Sequence, residues 1–235
     1  MLIGQAELQL ISNYQAVTRD EKSLIHASVA LILRDTEGGT EVLMMQRAKH
    51  ERDPWSGQMS FPGGKIEAAD SSSKATAIRE AHEEVGAELN DDNYVGRLDD
   101  LLGFKVGDTY SAHVRCHVFK PSTDIQLKAN YEVADLVWLP LAFLNDAGNA
   151  FTLNHPISPT LGMPSVMIDD AKDQVLWGMS LRMLMNLYTL LDFPLAALND
   201  AARAILNDME GRHLSKENSD KITRSIKNTT LQKQT

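Results

Sequence analysis

The chain has 235 residues, of which 43% are hydrophobic and 23% are charged, and its formal net charge at pH 7 is -9. This length supports one well-filled core, or one domain with an appended subdomain. The acidic balance argues against nucleic-acid binding through a basic surface, and it requires metal ions or a local basic pocket for any polyanionic substrate. A single cysteine, Cys116, excludes an internal disulfide and favours a cytoplasmic protein. Glu7 interrupts the first apolar stretch and no apolar run nears 18 residues, so neither a signal peptide nor a membrane span is expected.

The N-terminal part of the chain predicts one helix and the start of a sheet. Hydrophobic periodicity indicates a short amphipathic helix at residues 4–17. β-Branched and apolar residues on either side of the turn-like segment DTEGGT indicate a hairpin of two strands at 26–34 and 41–48, and a further short strand follows at 59–61. Pro62, Gly63 and Gly64 then end the last strand.

A helix is predicted from Ser72 or Ser73 to about residue 85, because serine is a good N-cap and glycine follows the last apolar residue. At about 100° per residue its apolar side chains form one stripe, which is expected to pack: Ile78, Ala81 and Val85. The opposite side would carry three carboxylates with no lysine among them: Glu80, Glu83 and Glu84. Glu80 and Glu84 repel each other at i,i+4, so either this face is simply solvated or a cation lies on it.

The rest of the chain predicts more strands and a helical end. Three strands, a short helix and two longer helices are expected at residues 94–106, 110–121, 132–141, 140–146, 175–193 and 195–209. The tail of residues 211–235 carries six Lys and Arg against two Asp and Glu, so the remainder of the chain carries -9 less +4, or -13. With few apolar residues this tail is expected to be mobile. The pattern predicts an α+β or mixed α/β domain with a helical C-terminal extension.

The residues before the predicted helix favour a cation over a merely solvated face. Gly63 and Gly64 carry no side chain that would keep a ligand from the backbone. Glu67 and Asp70 add two acids in the connecting loop, and Arg79 stands four residues before Glu83 and can hold its carboxylate. Magnesium takes oxygen ligands from a few carboxylates and leaves other positions to water and substrate phosphates. The stretch therefore suggests a hard-cation site.

The segment GGKIEAADSSSKATAIREAHEEVGAEL resembles a Nudix box. Its second half matches the pattern well, through Arg79, Glu80, Glu83, Glu84 and Gly86. Its first half departs from the common pattern, because Ser71 stands where the box has glutamate. The nearest acid is Asp70, one residue further from the arginine.

This expanded spacing, with aspartate and with Thr76-Ala77 before the Arg-Glu pair, resembles the coenzyme A diphosphatase subgroup. The segment VLWGMSLRML resembles a helix start common in that subgroup. The loop before the glycines differs, since DPWSG stands where those enzymes commonly have Leu-Arg-any-His. The resemblance covers roughly residues 25–190.

The resemblance implies an α/β/α sandwich with a mixed sheet, and an enzyme that uses Mg²⁺ or Mn²⁺ to hydrolyse a diphosphate linked to another group. The corresponding division of the chain is an N-terminal helical segment, a Nudix domain, a C-terminal helix and the tail, at residues 1–24, 25–192, 193–210 and 211–235. The implied metal ligands are Glu80, Glu83 and Glu84, with Glu83 and Glu84 also counted as catalytic.

Other site residues are assigned beside this metal set. Arg79 would orient Glu83, and Glu132, before a predicted strand, is the candidate general base outside the box; the alternative is a solvated loop acid. Arg47 would bind a phosphate, or else be a surface arginine at a strand end. The glycine pair Gly63 and Gly64 and the basic loop residue Arg52 complete the predicted substrate contacts.

Coenzyme A is the favoured substrate, with 3',5'-ADP and 4'-phosphopantetheine as products. The alternative is another nucleoside diphosphate linked to a second group, such as ADP-ribose, a dinucleotide or a nucleotide sugar. A third possibility is a non-catalytic binding module, which would have no need for self-repelling carboxylates. The partner is expected to be this small molecule alone, with no nucleic acid and no membrane.

Overall fold

In the computed structural model of the chain, the described residues are 1–50, 55–153 and 162–208. Within these ranges the helices are α1 (Gln5–Asn13), α2 (Ser73–Val85), α3 (Gly178–Leu190) and α4 (Asp200–Asp208). The strands of the same ranges are β1 (His26–Thr36), β2 (Gly39–Arg47), β3 (Met59–Ser60), β4 (Gly63–Lys65), β5 (Tyr94–Arg97), β6 (Leu101–Leu102), β7 (Lys105–Val106), β8 (Thr109–Tyr110), β9 (His113–Phe119), β10 (Val133–Pro140), β11 (Ala150–Leu153), β12 (Met163–Asp169) and β13 (Gln174–Trp177). No helix in these ranges is both long enough and apolar enough to cross a membrane.

Eight strands of the described residues form one mixed sheet. Its main order is β10-β2-β1-β9-β5, and the short strands β3, β4 and β6 pair with β2, β1 and β9. The hairpin strands β1 and β2 are antiparallel, whereas β1 and β9 are parallel, with His26 beside His113. Strand β1 is therefore central, which explains why its apolar run is buried on both faces. Strands β11, β12 and β13 form a separate antiparallel sheet.

Helices cover both faces of the main sheet. Alternate side chains of β1 point to opposite faces, and Ala30 and Ile32 pack with Ala81 of α2. Leu31 and Leu33 point the other way, into a larger core that also contains side chains of α1, α3 and α4. This layering confirms the predicted α/β/α sandwich with a mixed sheet and a helical C-terminal extension.

Two local signals set the limits of α2 as the sequence predicts. The Ser72 hydroxyl accepts a hydrogen bond from the Ala75 N–H, which satisfies one of the free donors of the first turn. Gly86 ends the helix in the left-handed region, at φ 68°, and its N–H donates to the His82 carbonyl. These two ends fix which residues of α2 face the sheet.

Other predicted elements differ from the structure. The single strand predicted over 94–106 is wrong, because the chain bends at Asp99 and Asp100 and forms β5, β6 and β7 instead. The two aspartates accept hydrogen bonds from the N–H groups of Val17 and Arg19, which lie far away in the sequence. The sheet of β11, β12 and β13 has no counterpart among the predicted elements, and the predicted mobile tail, 211–235, lies outside the described residues.

Candidate active site

The glycine strand β4 and helix α2 meet along one edge of β1. Gly63 and Gly64 pair with Val29 and Ser28 of β1, so their backbone is held against the sheet. The Gly63 N–H donates to Oε2 of Glu84 at 2.8 Å. A Cβ atom at residue 64 would lie 2.4 Å from Oε1 of Glu80, closer than real side-chain contacts allow. The two glycines therefore make the space in which two carboxylates of α2 lie.

Glu80 and Glu84 lie on the packed side of α2, which corrects the prediction that they share an open face with Glu83. Their residues are 6% and 3% exposed, whereas the Glu83 side chain is 54% exposed. Ile78, predicted to be part of the packed stripe, is only half-buried. The helix can turn its glutamates towards the sheet because β4 has glycines, rather than larger side chains, opposite them.

The buried Glu84 carboxylate is costly to ionise. Burial raises the pKa of Glu84 to about 8. The Gly63 N–H and the charge of Arg47 lower this pKa, while the negative charges of Glu80 and Glu132 raise it further. Within the described residues, the N–H of Gly63 gives the one hydrogen bond to this carboxylate. A cation placed here would stabilise the ionised form.

Arg79 is the centre of an ion-pair network at the entrance to this space. Its Nε and Nη2 atoms donate to the two oxygens of Asp70, each at 3.0 Å. Its Nη1 atom donates to Glu80 at 2.9 Å and to Glu83 at 3.3 Å. The predicted contact with Glu83 is present, but it is the longest of these bonds. Arg79, more than any other group, holds the pKa of Asp70 well below its usual range.

This network gives a physical reason for the altered spacing of the box. Asp70 also accepts hydrogen bonds from the Thr76 hydroxyl at 2.8 Å and from the Glu67 N–H at 2.9 Å. Sequence reasoning identified Asp70 and Thr76 as motif residues but did not predict that Asp70 would be the main partner of Arg79. The signal was present, because both residues stand at the positions where the box departs from its common form.

A loop after β9 brings Glu132 to the same region. The Asn130 N–H donates to the Glu84 carbonyl at 2.8 Å, and the Asn130 side chain donates to the Glu83 carbonyl at 2.9 Å. The Asn130 carboxamide oxygen accepts from the Glu132 N–H at 2.7 Å. The Glu132 carbonyl in turn accepts from Ala48 at the end of β2. Asn130 therefore joins the C-terminal end of α2 to Glu132, and no sequence motif indicated this.

The structure brings most of the predicted site residues together. Arg47 and Glu132 lie close enough for their charges to act on Glu84. Gly63 and Gly64 border the same carboxylates. Arg52 lies outside the described residues.

These residues fit a hard divalent cation as partial ligands. No three His, Cys, Asp or Glu side chains of the described ranges already gather into a metal-binding group. Magnesium is usually held by one or two carboxylates, with water and substrate phosphates as the other ligands. Glu80 and Glu84 offer carboxylate oxygens in a space kept open by Gly64, and burial raises the pKa of Glu84, so that a cation would stabilise its ionised form. Glu83 is turned towards Arg79 instead, so the three predicted ligands do not converge.

Comparisons with known proteins agree with this architecture. The NUDIX domain model matches residues 24–159. The chain is 34% identical over 120 residues to a probable nudix hydrolase of Schizosaccharomyces pombe, covering 51% of this chain and 41% of the relative. It is 35% identical over 126 residues to a peroxisomal coenzyme A diphosphatase of Caenorhabditis elegans, covering 51% of each chain. The chain thus spans about half or less of the length of these relatives.

Among solved structures, a MutT/nudix family protein from Enterococcus faecalis is 18% identical, with a TM-score of 0.48 over 82% of this chain and 73% of that one. The family assignment rests on the domain model instead. Since that model matches 24–159 of the 235 residues, more than half of the sequence, this chain belongs to the Nudix family.

Proposed function

We propose that this chain hydrolyses the diphosphate bond of a nucleoside diphosphate linked to a second group, with a divalent cation on the Glu80 and Glu84 carboxylates. One observation carries the proposal. Glu84 is buried without enough positive charge around it, beside a glycine strand that leaves space for a ligand. A carboxylate of this kind costs stability in the free protein, and a bound cation would offset that cost.

The chain's own residues then have separate roles. Glu80 and Glu84 hold the cation, and Arg79 keeps the Glu80 carboxylate in position through the bond from its Nη1 atom. Mg²⁺ or Mn²⁺ bound there would neutralise phosphate charge and lower the pKa of the attacking water. Arg47, at the end of β2, is the proposed phosphate ligand. Its guanidinium would bind phosphate oxygens that carry negative charge.

Glu132 is the proposed general base. A water oxygen forms a bond to one phosphorus, the bridging P–O bond breaks, and the Glu132 carboxylate accepts the proton of the water. Asn130 fixes the backbone of Glu132 relative to α2, so the base would stand at a constant distance from the carboxylates. Glu83, which Arg79 contacts from the solvent side, is proposed as a further ligand that turns inward when the cation binds.

Within this reaction class we favour coenzyme A as the substrate, which would give 3',5'-ADP and 4'-phosphopantetheine. Two observations support this choice. Asp70 and Thr76, which carry the expanded box spacing, are hydrogen-bonded to each other beside Arg79, and one relative is named as a coenzyme A diphosphatase. That relative's name also places it in peroxisomes, so the cytoplasmic location expected for this chain stays a prediction. ADP-ribose, dinucleotides and nucleotide sugars are the alternative substrates.

A substrate panel tests both levels of the proposal. The protein is incubated with coenzyme A, ADP-ribose, diadenosine diphosphate and a nucleotide sugar, with Mg²⁺ or with Mn²⁺, and the products are identified by mass spectrometry. We expect 3',5'-ADP and 4'-phosphopantetheine to form fastest. Faster cleavage of ADP-ribose would overturn coenzyme A but keep the reaction class. No metal-dependent cleavage of any diphosphate would overturn the class itself.

A further inference from the structure

Arginine and histidine side chains form a cluster on strands β1, β5 and β9, on the face of the sheet that α2 covers. His113, Arg115 and His117 alternate along β9 and therefore point to the same face. His26 of β1 pairs with His113, and Arg97 of β5 pairs with His117. The His26 and His113 rings meet edge to face, with centroids 5.3 Å apart. We call Arg97, Arg115, His26 and His113 the arginine–histidine cluster.

A buried aspartate accounts for part of this cluster, and its two oxygens are already in use. Asp100 Oδ1 accepts from Nη2 of Arg97. Asp100 Oδ2 accepts from Nε2 of His113 at 2.9 Å and from the Arg19 N–H at 3.0 Å. Nε of Arg115 lies 3.8 Å from Oδ2, beyond hydrogen-bond distance. One carboxylate therefore faces two guanidinium groups, and it is bonded to only one of them.

The cluster contains donors and ring nitrogens that the described residues leave unpaired. Nε of Arg97 and Nδ1 of His113 are buried and have no hydrogen-bond partner within the described ranges. His113 is 1% exposed, so water outside the protein does not reach Nδ1 freely. The 3.8 Å approach to Asp100 is the only ion-pair contact of the Arg115 side chain among the described residues. Buried polar groups of this kind usually have a partner, and here the N–H of Arg97 Nε lacks an acceptor among the described residues.

The charges of the two arginines also act on two nearby histidines. Burial lowers the pKa of His117 to about 4, the charges of Arg97, Lys74 and Arg115 lower it further, and the charge of Asp100 raises it. Burial also lowers the pKa of His26, with the charges of His113 and Arg115 as additional causes. A bound anion would oppose these arginine charges.

We propose that Arg97, Arg115 and His26 form a binding site for an oxyanion of the phosphate class. The Arg97 and Arg115 side chains are both about one-quarter exposed, so a solute can reach them, and a guanidinium group can donate to two oxygens of a tetrahedral anion. His26 is exposed beside them. This site needs no metal ion, unlike the carboxylates of α2, and it does not depend on the proposed hydrolysis.

The source of the oxyanion is either free phosphate or the phosphate monoester of a nucleotide. Binding of inorganic phosphate and of 3'-AMP is measured by isothermal titration calorimetry in metal-free buffer at constant ionic strength, with adenosine as the ligand that lacks phosphate. We expect both phosphate compounds to bind and adenosine not to bind. Tighter binding of 3'-AMP than of phosphate would identify a nucleotide as the source, and equal affinities would identify free phosphate.

Arg115→Gln is the test variant, because it removes one guanidinium and leaves the bonds of Arg97 and His113 to Asp100 in place. Arg34→Gln is the matched control, since Arg34 pairs with Glu41 on a different part of the sheet. We expect the Kd for phosphate to rise at least 10-fold in Arg115→Gln and to change less than 2-fold in Arg34→Gln. Arg115→Lys, which keeps the charge without the paired donors, should give an intermediate Kd. No binding by the unmutated protein, or equal Kd values in Arg115→Gln and Arg34→Gln, would overturn the site.

Discussion

Two buried carboxylates of this protein, Asp100 and Glu84, have opposite surroundings. Asp100 is 1% exposed and Glu84 is 3% exposed, so both have lost almost all contact with water. Asp100 accepts hydrogen bonds from Arg97, His113 and a backbone N–H group. Glu84 accepts one backbone N–H bond and has the like charge of Glu80 beside it. Asp100 is hydrogen-bonded to cationic and polar side chains, whereas Glu84 has no side-chain hydrogen-bond partner among the described residues and is affected by Arg47 only through its charge.

The difference indicates what each carboxylate does. A buried charge that is fully paired connects distant segments, and Asp100 joins β9 to the loop after β5 and to Arg19 near the N-terminus. Burial raises the pKa of Glu84 to about 8 despite its hydrogen bond from Gly63, so this carboxylate gains most from a ligand that brings positive charge. Asp100 therefore contributes to the stability of the fold, whereas Glu84 is suited to bind a cation.

The largest expected effect comes from removing the paired charge. Asp100→Asn should lower the free energy of unfolding by about 3–5 kcal/mol, because the buried His113 and the partly buried Arg97 would both lose a buried carboxylate partner. Urea denaturation followed by circular dichroism measures this difference. A loss below about 1 kcal/mol would mean that the Asp100 network adds little to the stability of the fold.

The corresponding substitution at Glu84 should lower turnover rather than stability. Glu84→Gln should lower kcat at least about 100-fold, equivalent to about 2.7 kcal/mol, while the free energy of unfolding stays the same or rises. The glutamine keeps the shape of the side chain and removes the repulsion with Glu80. Glu37→Gln, at an exposed glutamate, is the control for the change in net charge. Turnover equal to that of the control would remove Glu84 from the site.

A third buried group, His117, should make the free energy of unfolding depend on pH, with a smaller effect than the two substitutions above. Its ring nitrogens contact the hydroxyls of Ser73 and Tyr94, and its pKa is lowered to about 4 from an ordinary value of 6.5. The unfolded chain therefore binds more protons than the folded chain between pH 6.5 and 4, and stability falls as the pH falls through this window. We expect His117 to account for about 2 kcal/mol of this loss.

The measurement is the free energy of unfolding at pH 7 and at pH 4.5 for the unmutated protein and for His117→Gln. The glutamine can still contact both hydroxyls but does not titrate. The loss between the two pH values should be smaller in the variant. An equal loss in both proteins would assign the acid sensitivity to other groups.

The sequence predicts α2 well because the signals of a helix are local. Ser72 and Gly86 lie within one turn of the helix ends and act on neighbouring N–H and carbonyl groups. The side on which Glu80 and Glu84 lie could not be predicted in the same way. Their burial depends on the space that Gly63 and Gly64 leave after pairing with β1, at residues 34 and 36 positions earlier in the chain.

Other parts of the structure were not indicated by the sequence. Strands β11, β12 and β13 are held by pairing with one another, and by a hydrogen bond from Gln46 to the Lys172 carbonyl. Asn130 looks like an ordinary loop residue, yet its side chain connects Glu83 and Glu132. No motif or periodicity marks such a role.

Binding of Mn²⁺ without substrate tests the central claim most directly. Electron paramagnetic resonance measures free Mn²⁺ during titration of the unmutated protein, Glu84→Gln and Glu37→Gln, up to millimolar metal. The account predicts saturable binding to the unmutated protein and to Glu37→Gln, with at least 10-fold weaker binding to Glu84→Gln. It also predicts that bound metal raises the melting temperature of the unmutated protein and of Glu37→Gln by mass action. Equal Mn²⁺ affinity in all three proteins, or no saturable binding to the unmutated protein, would contradict a cation site at Glu84.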